Sequence, residues 1–218
     1  MIALCVLAGA ALLVTRASAA TFSNSTPMTT NGSGGGVATP YPSTISVSGL
    51  TGTTTKVTVT LMDILAPAQD LDILLKGPGG STMLYSDLCQ SGGTFPDLIH
   101  VTYTFDDDSP AALPSSCAVG GPPTGTYKPS NYDTLDNFPG NPPPYPVGLS
   151  NFRGVSSNGA WLLYVFDDQF EDSSSIGGWS LDVTTTGVPA TPPKKKCKKH
   201  KHRSASAAKK KRCKKKRR

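Results

Sequence analysis

Asp70-Leu71-Asp72-Ile73-Leu74-Leu75-Lys76-Gly77-Pro78-Gly79-Gly80 is the stretch that decides the fold. Leu71, Ile73 and Leu75 alternate with Asp72, Leu74 and Lys76, the period of two that lays one face of a strand on a core, and the Gly-Pro-Gly-Gly run stops that strand abruptly. On its N-terminal side Ile45, Val47 and Leu50, then Val57, Val59 and Leu61, alternate in the same way, giving two strands joined by a Thr- and Gly-rich turn around Gly52. On its C-terminal side Ile99, Val101, Tyr103 and Phe105 are expected to share one face of a further strand, and residues 161–166 and 179–183 supply two more. No segment of the body carries apolar residues at helical spacing over a useful length. Short strands at regular intervals, rich in β-branched and aromatic residues and punctuated by Gly and Pro, predict an all-β sandwich or jelly roll.

Five further segments follow the strand in order: LYSD at 84–87, TFDD at 104–107, GTYKPSN at 125–131, FRGVSSNGAWLLYVFDD at 152–168 and SIGGWSL at 175–181. Together they resemble the P (Homo B) domain of proprotein convertases in its bacterial form, over about residues 44–184. The resemblance implies a jelly-roll β-sandwich of the galactose-binding-like type. It also implies association with a subtilisin-like serine endopeptidase, since in convertases such a domain sits beside the catalytic domain and stabilises it. In physical terms Asn158-Gly159 is a tight-turn signal that launches Trp161 into the core, and Gly177-Gly178 lets the chain turn before Trp179 enters the same core.

The ends differ from this body. Residues 1–20 read as a signal peptide, an apolar run over 2–14 followed by the small residues Ala17, Ser18, Ala19 and Ala20. That run is too short for a membrane span, which needs about 20 apolar residues, and no later segment approaches such a length, so no transmembrane segment is expected after cleavage. The protein is therefore expected to be secreted, with attachment to the cell envelope as a variant of that reading. Residues 21–43, rich in Thr, Ser, Gly and Asn, are expected to be mostly a flexible leader, 44–186 the sandwich domain, and 187–218 a Pro spacer with a Lys/Arg-rich disordered tail.

Export favours disulfides. Cys5 leaves with the signal, and the separations of the remaining four suggest Cys89 with Cys117 in the body and Cys197 with Cys213 in the tail, although four cysteines permit three pairings. No Cys-x-x-Cys spacing offers a zinc site.

The formal charge of +6 conceals a division. All fifteen acidic residues precede residue 194, and against them the processed body holds only Lys56, Lys76, Lys128 and Arg153, a balance of −11. Sixteen basic residues follow, for a tail of +16. Lys194, Lys195, Lys196, Lys198, Lys199, Lys209, Lys210, Lys211, Arg212, Lys214, Lys215, Lys216, Arg217 and Arg218 are the candidate polyanion-binding residues, joined by Lys201 and Arg203. Such a tail suits anionic cell-wall or matrix polymers. Nonspecific nucleic-acid binding is the weakest alternative, and sequence-specific readout is not expected because the tail has no aromatic to stack on a base.

Chemistry of the body is limited. Its single histidine, His100, lies within a strand, and no Gly-x-Ser-x-Gly elbow accompanies it, so no Ser/His/Asp protease constellation is expected and the chain reads as non-catalytic. Carboxylates are the more suggestive groups. Asp70, Asp72, Asp87, Asp106, Asp107, Asp167, Asp168 and Asp172 cluster at strand ends, where calcium finds the six to eight oxygen ligands it takes, and calcium is the candidate cofactor. The same residues equally suit solvated loop caps, and the sequence leaves both readings open.

Overall fold

The computed structural model describes residues 17–32, 35–133, 135–169 and 172–187. Among these the chain forms β1 (Ser18–Asn24), β2 (Met28–Thr29), β3 (Gly36–Val37), β4 (Ser43–Val47), β5 (Thr54–Pro67), β6 (Leu71–Gly77), β7 (Gly80–Tyr85), β8 (Asp97–Phe105), β9 (Gly125–Tyr127), a 3-10 turn η1 (Leu149–Phe152), β10 (Gly159–Asp167) and β11 (Ser175–Thr185). One sheet runs β1-β11-β5-β8-β9 with β2 also on β11, and the other runs β3-β10-β6-β7 with β4 also on β10. The expected all-β jelly-roll sandwich is the observed fold, with β10 and β11 at the middle of opposite sheets.

The alternating residues meet between the sheets, where Val57, Val59 and Leu61 of β5 and Trp179, Leu181 and Val183 of β11 face Leu71, Ile73 and Leu75 of β6 and Trp161, Leu163 and Val165 of β10 in one core. Both tryptophans are buried with their indole N–H groups satisfied: Trp161 Nε1 donates to Ser157 O and Trp179 Nε1 to Ser43 Oγ, each at 2.9 Å. Residues of this size lose roughly 3 to 5 kcal/mol on truncation to Ala. The turn that launches Trp161 is pinned by Asn158, whose Oδ1 accepts from Leu50 N at 3.0 Å while its Nδ2 donates to Leu50 O at 2.7 Å. Gly77 is required opposite: a Cβ there would lie 2.7 Å from the Trp161 ring.

Three expectations are corrected. Residues 21–43 do not form a flexible leader, because β1 pairs along its whole length with β11, from Ser18 opposite Thr185 to Asn24 opposite Trp179, and Met28 and Ala38 are buried. Composition does not register the backbone pairing that the free side of β11 offers. The processing point expected after residue 20 falls inside this strand.

The second correction concerns β6, which is buried on both faces: Leu74, on the side opposite the main core, packs with Met83, Phe138 and Tyr164 in a second cluster. The third is the phase of β8. Tyr103 and Phe105 are buried as expected, but Ile99 is 64% exposed and Leu98 takes the inward place. His100 at φ 54 and Asp63 at φ 58 interrupt the facing strands, and the register shifts there, so side chains beyond the irregularity swap faces.

The predicted bridge between Cys89 and Cys117 is present. Residues 2–14 of the signal peptide and the tail beyond 187, including Cys197, Cys213 and the basic cluster from Lys194, lie outside the described residues. Among the described residues no helix is long and apolar enough to cross a membrane.

Candidate metal centre

Strand register builds the site. Asp72 lies opposite Phe166 of β10, and its neighbour Ile73 lies opposite Tyr85, the last residue of β7. The chain leaving β7 therefore passes Ser86 and Asp87 beside Asp72. Asp87 adopts φ 52, a left-handed conformation that aspartate tolerates better than most residues. The segment between β9 and η1 folds over the outer face of the β6 sheet, anchored by Phe138 and Tyr145 in the second cluster, and carries Asp136 to the same place. One carboxylate oxygen from each of Asp72, Asp87 and Asp136 lies within 4.8 Å of the others, with Asp72 and Asp87 buried.

Three negative charges so close cannot remain uncompensated. At an effective dielectric of about 20, each pair at such a separation repels by roughly 3 kcal/mol, so three pairs rival the whole stability of an ordinary domain. Among the described residues no Lys, Arg or His pairs with any of the three. Burial pushes the Asp72 carboxyl up to about 9, helped by the charges of Asp136, Asp87 and Asp168 and opposed by a bond from Ser86. Burial likewise raises Asp136 to about 6 and Asp168 to about 6, and raises Asp87 against the opposing 2.7 Å bond from Ser86 Oγ. Oδ2 of Asp136 is buried without a hydrogen-bond partner.

The group can respond by holding a proton or by holding a cation. Its donors are all oxygen, which suits a hard ion, and two oxygens sharing a calcium at 2.3 to 2.6 Å lie at most about 5 Å apart. The spacing therefore fits calcium without rearrangement of the strands. The three carboxylates are not sealed off: Asp72 and Asp136 border a cavity of about 400 Å³, with Asp168, Asp133, Asn137 and Phe166 on its other walls, open to waters that could complete a coordination shell.

The remaining sequence candidates lie elsewhere. Asp70 sits in the turn before β6 and not on the strand, so it does not share a face with Asp72 as an extended chain would require. It lines a different cavity together with Asp172. Asp106 pairs with Lys56 at 2.9 Å, alongside Asp108 at 2.6 Å. Asp107 accepts from Leu149 N at 2.8 Å and Ser150 N at 2.7 Å, closing the start of η1. Asp167 is buried and satisfied: its Oδ2 accepts from Thr30 Oγ1 and Ser174 Oγ, each at 3.0 Å, tying the N-terminal segment to the start of β11. Asp106, Asp107 and Asp167 are thus committed to holding the fold. Asp136 is the residue that sequence reasoning missed; its one signal was the pair Asp133 and Asp136 just after the GTYKPSN segment.

His100 is exposed, and its Nδ1 lies 2.7 Å from Asp63 Oδ1 across the paired irregularity of β5 and β8.

No protein-family model matches the chain, and no curated protein matches its sequence. Among solved structures it is similar to the crystal structure of the Aeromonas sobria serine protease in complex with its chaperone ORF2, at 15% identity over 78% of this chain and 27% of that one, with a TM-score of 0.36. This chain thus spans about a quarter of that chain's length.

Proposed function

We propose that this protein is a secreted, non-catalytic β-sandwich module that binds calcium between Asp72, Asp87 and Asp136 and attaches to anionic envelope or matrix polymers through its basic tail. The convergence of the three carboxylates, with no cationic partner among the described residues, is the observation that carries the reading. The segments resembling a P/Homo B domain support a module of this class, and the charge division of the sequence supports the attachment. A second reading, an accessory that docks on a separate subtilisin-like endopeptidase, is favoured by the same P-domain-like segments. Co-purification with such a protease would support it.

In this reading Asp72 and Asp87 hold the ion from the rigid sheet, and Asp136 ties the segment between β9 and η1 to them. The ion would supply the positive charge that offsets three carboxylates, and so fix that segment. At a calcium concentration about a hundredfold above Kd, binding adds about 2.7 kcal/mol of stability. For a chain of this size that raises the melting midpoint by about 5 to 10 °C. Thermal melting of the full chain in calcium and in chelator tests this. The midpoint is expected to rise in calcium for the wild type and by distinctly less for Asp87→Asn; an equal midpoint in both media, or an equal rise in both proteins, contradicts the reading.

A further inference from the structure

The geometry points to a second calcium site, separate from the triad, in the cavity bordered by Gln69, Asp70, Gln90 and Asp172. Asp70 is only 3% exposed, and its backbone is fully used: its N–H donates to Pro67 O at 3.4 Å, and its carbonyl accepts from Asp168 N at 3.1 Å. Its side-chain Oδ1 is nevertheless buried without a partner, and so is Oε1 of the adjacent Gln69. Each such orphan acceptor costs about 1 to 3 kcal/mol if nothing meets it. The two consecutive residues that carry them border one cavity of about 370 Å³, which Phe95 and Gln169 complete.

The polar side chains that border it all carry oxygen acceptors. Gln90 donates its Nε2 to Asp87 Oδ1 at 2.8 Å, so its Oε1 is the atom left for the cavity. Asp172 adds a second carboxylate, and among the described residues no Lys, Arg or His lines the space. Two carboxylates and neutral amide oxygens from loops, in irregular array, suit calcium's flexible shell at 2.3 to 2.6 Å better than the tight octahedron magnesium demands. The wall is held in place by the Cys89–Cys117 bridge next to Gln90 and by Ser91 N donating to Ser115 O at 2.7 Å.

Equilibrium dialysis of the metal-stripped full chain against radioactive calcium counts the sites. Two ions per chain are expected for the wild type, one for Asp70→Asn and one for Asp136→Asn. Asp70→Asn is nearly isosteric, and Gln69→Met, at a half-buried position, should weaken the same site at least tenfold should the first variant fail to fold. Wild-type stoichiometry and affinity in either variant that folds overturn the second site. So does a single wild-type ion lost only in Asp136→Asn, which leaves the triad standing. A single ion lost only in Asp70→Asn keeps this site and overturns the triad, and no calcium in the wild type overturns both.

Discussion

Asp72 shows what one strand position can be made to do. A carboxylate on the buried face of β6, beside Asp87 and Asp136, is pushed to about 9 from the ordinary 3.8. Because its folded value lies above its unfolded one, the metal-free folded protein holds more protons than the unfolded chain across that interval, so its stability falls as pH rises through it. Asp136 and Asp168, at about 6, steepen the acid half of the same fall. Melting of metal-stripped protein is expected to show a midpoint that declines from pH 5 to pH 8. Saturating calcium should flatten the decline, because the ion takes the proton's place; a midpoint that climbs with pH in stripped protein contradicts the assignment. The sequence identified Asp72 and Asp87 because both follow or begin recognisable strands. It missed Asp136, which lies in a Pro- and Gly-rich stretch without periodicity and reaches the site only because Phe138 and Tyr145 pack on the far side of β6. It left Asp106, Asp107 and Asp167 open between ligand and loop cap, because composition does not reveal their bonds to Lys56, to the η1 amides, or to Thr30 and Ser174.

Among the elements, period-two alternation located β5, β6, β10 and β11 within a few residues, since each buries a full face and a wrong phase would expose it. It failed where one residue breaks the count, as at His100, beyond which Leu98 and Ile99 exchange places. It also passed over β1, whose Ala, Thr and Ser residues look like linker and whose stability comes from backbone pairing with β11. Cysteine spacing did better, since a separation of 28 residues suits an intradomain bridge, and Cys89 is bonded to Cys117. Closing a loop of that length stabilises the fold by about 3 to 4 kcal/mol through the unfolded chain. The double variant Cys89→Ala/Cys117→Ala is therefore expected to lose about that much unfolding free energy, seen as a lower urea midpoint with a steeper slope because the uncrosslinked chain unfolds more fully, and an unshifted midpoint means the bridge does not constrain the chain.

At the scale of the whole molecule the charge separation is the dominant feature. The body carries −11 and gathers five of its carboxylates, Asp70, Asp72, Asp87, Asp136 and Asp168, where burial and mutual repulsion raise their affinity for protons; the sequence beyond residue 193 carries +16. Attachment carried by the basic residues should follow counterion release. Retention of the intact chain on purified anionic wall polymer is expected to fall steeply between 50 and 200 mM salt, on the order of a hundredfold or more, and to vanish when residues 194–218 are removed. Retention indifferent to salt contradicts this mechanism. The central claim is that the acidic end of the sandwich holds calcium, and the most direct test is a crystal structure of the protein grown in millimolar calcium. The account predicts an ion within about 2.3 to 2.6 Å of carboxylate oxygens from Asp72, Asp87 and Asp136; a metal-free triad whose carboxyls hydrogen-bond to one another under those conditions contradicts it.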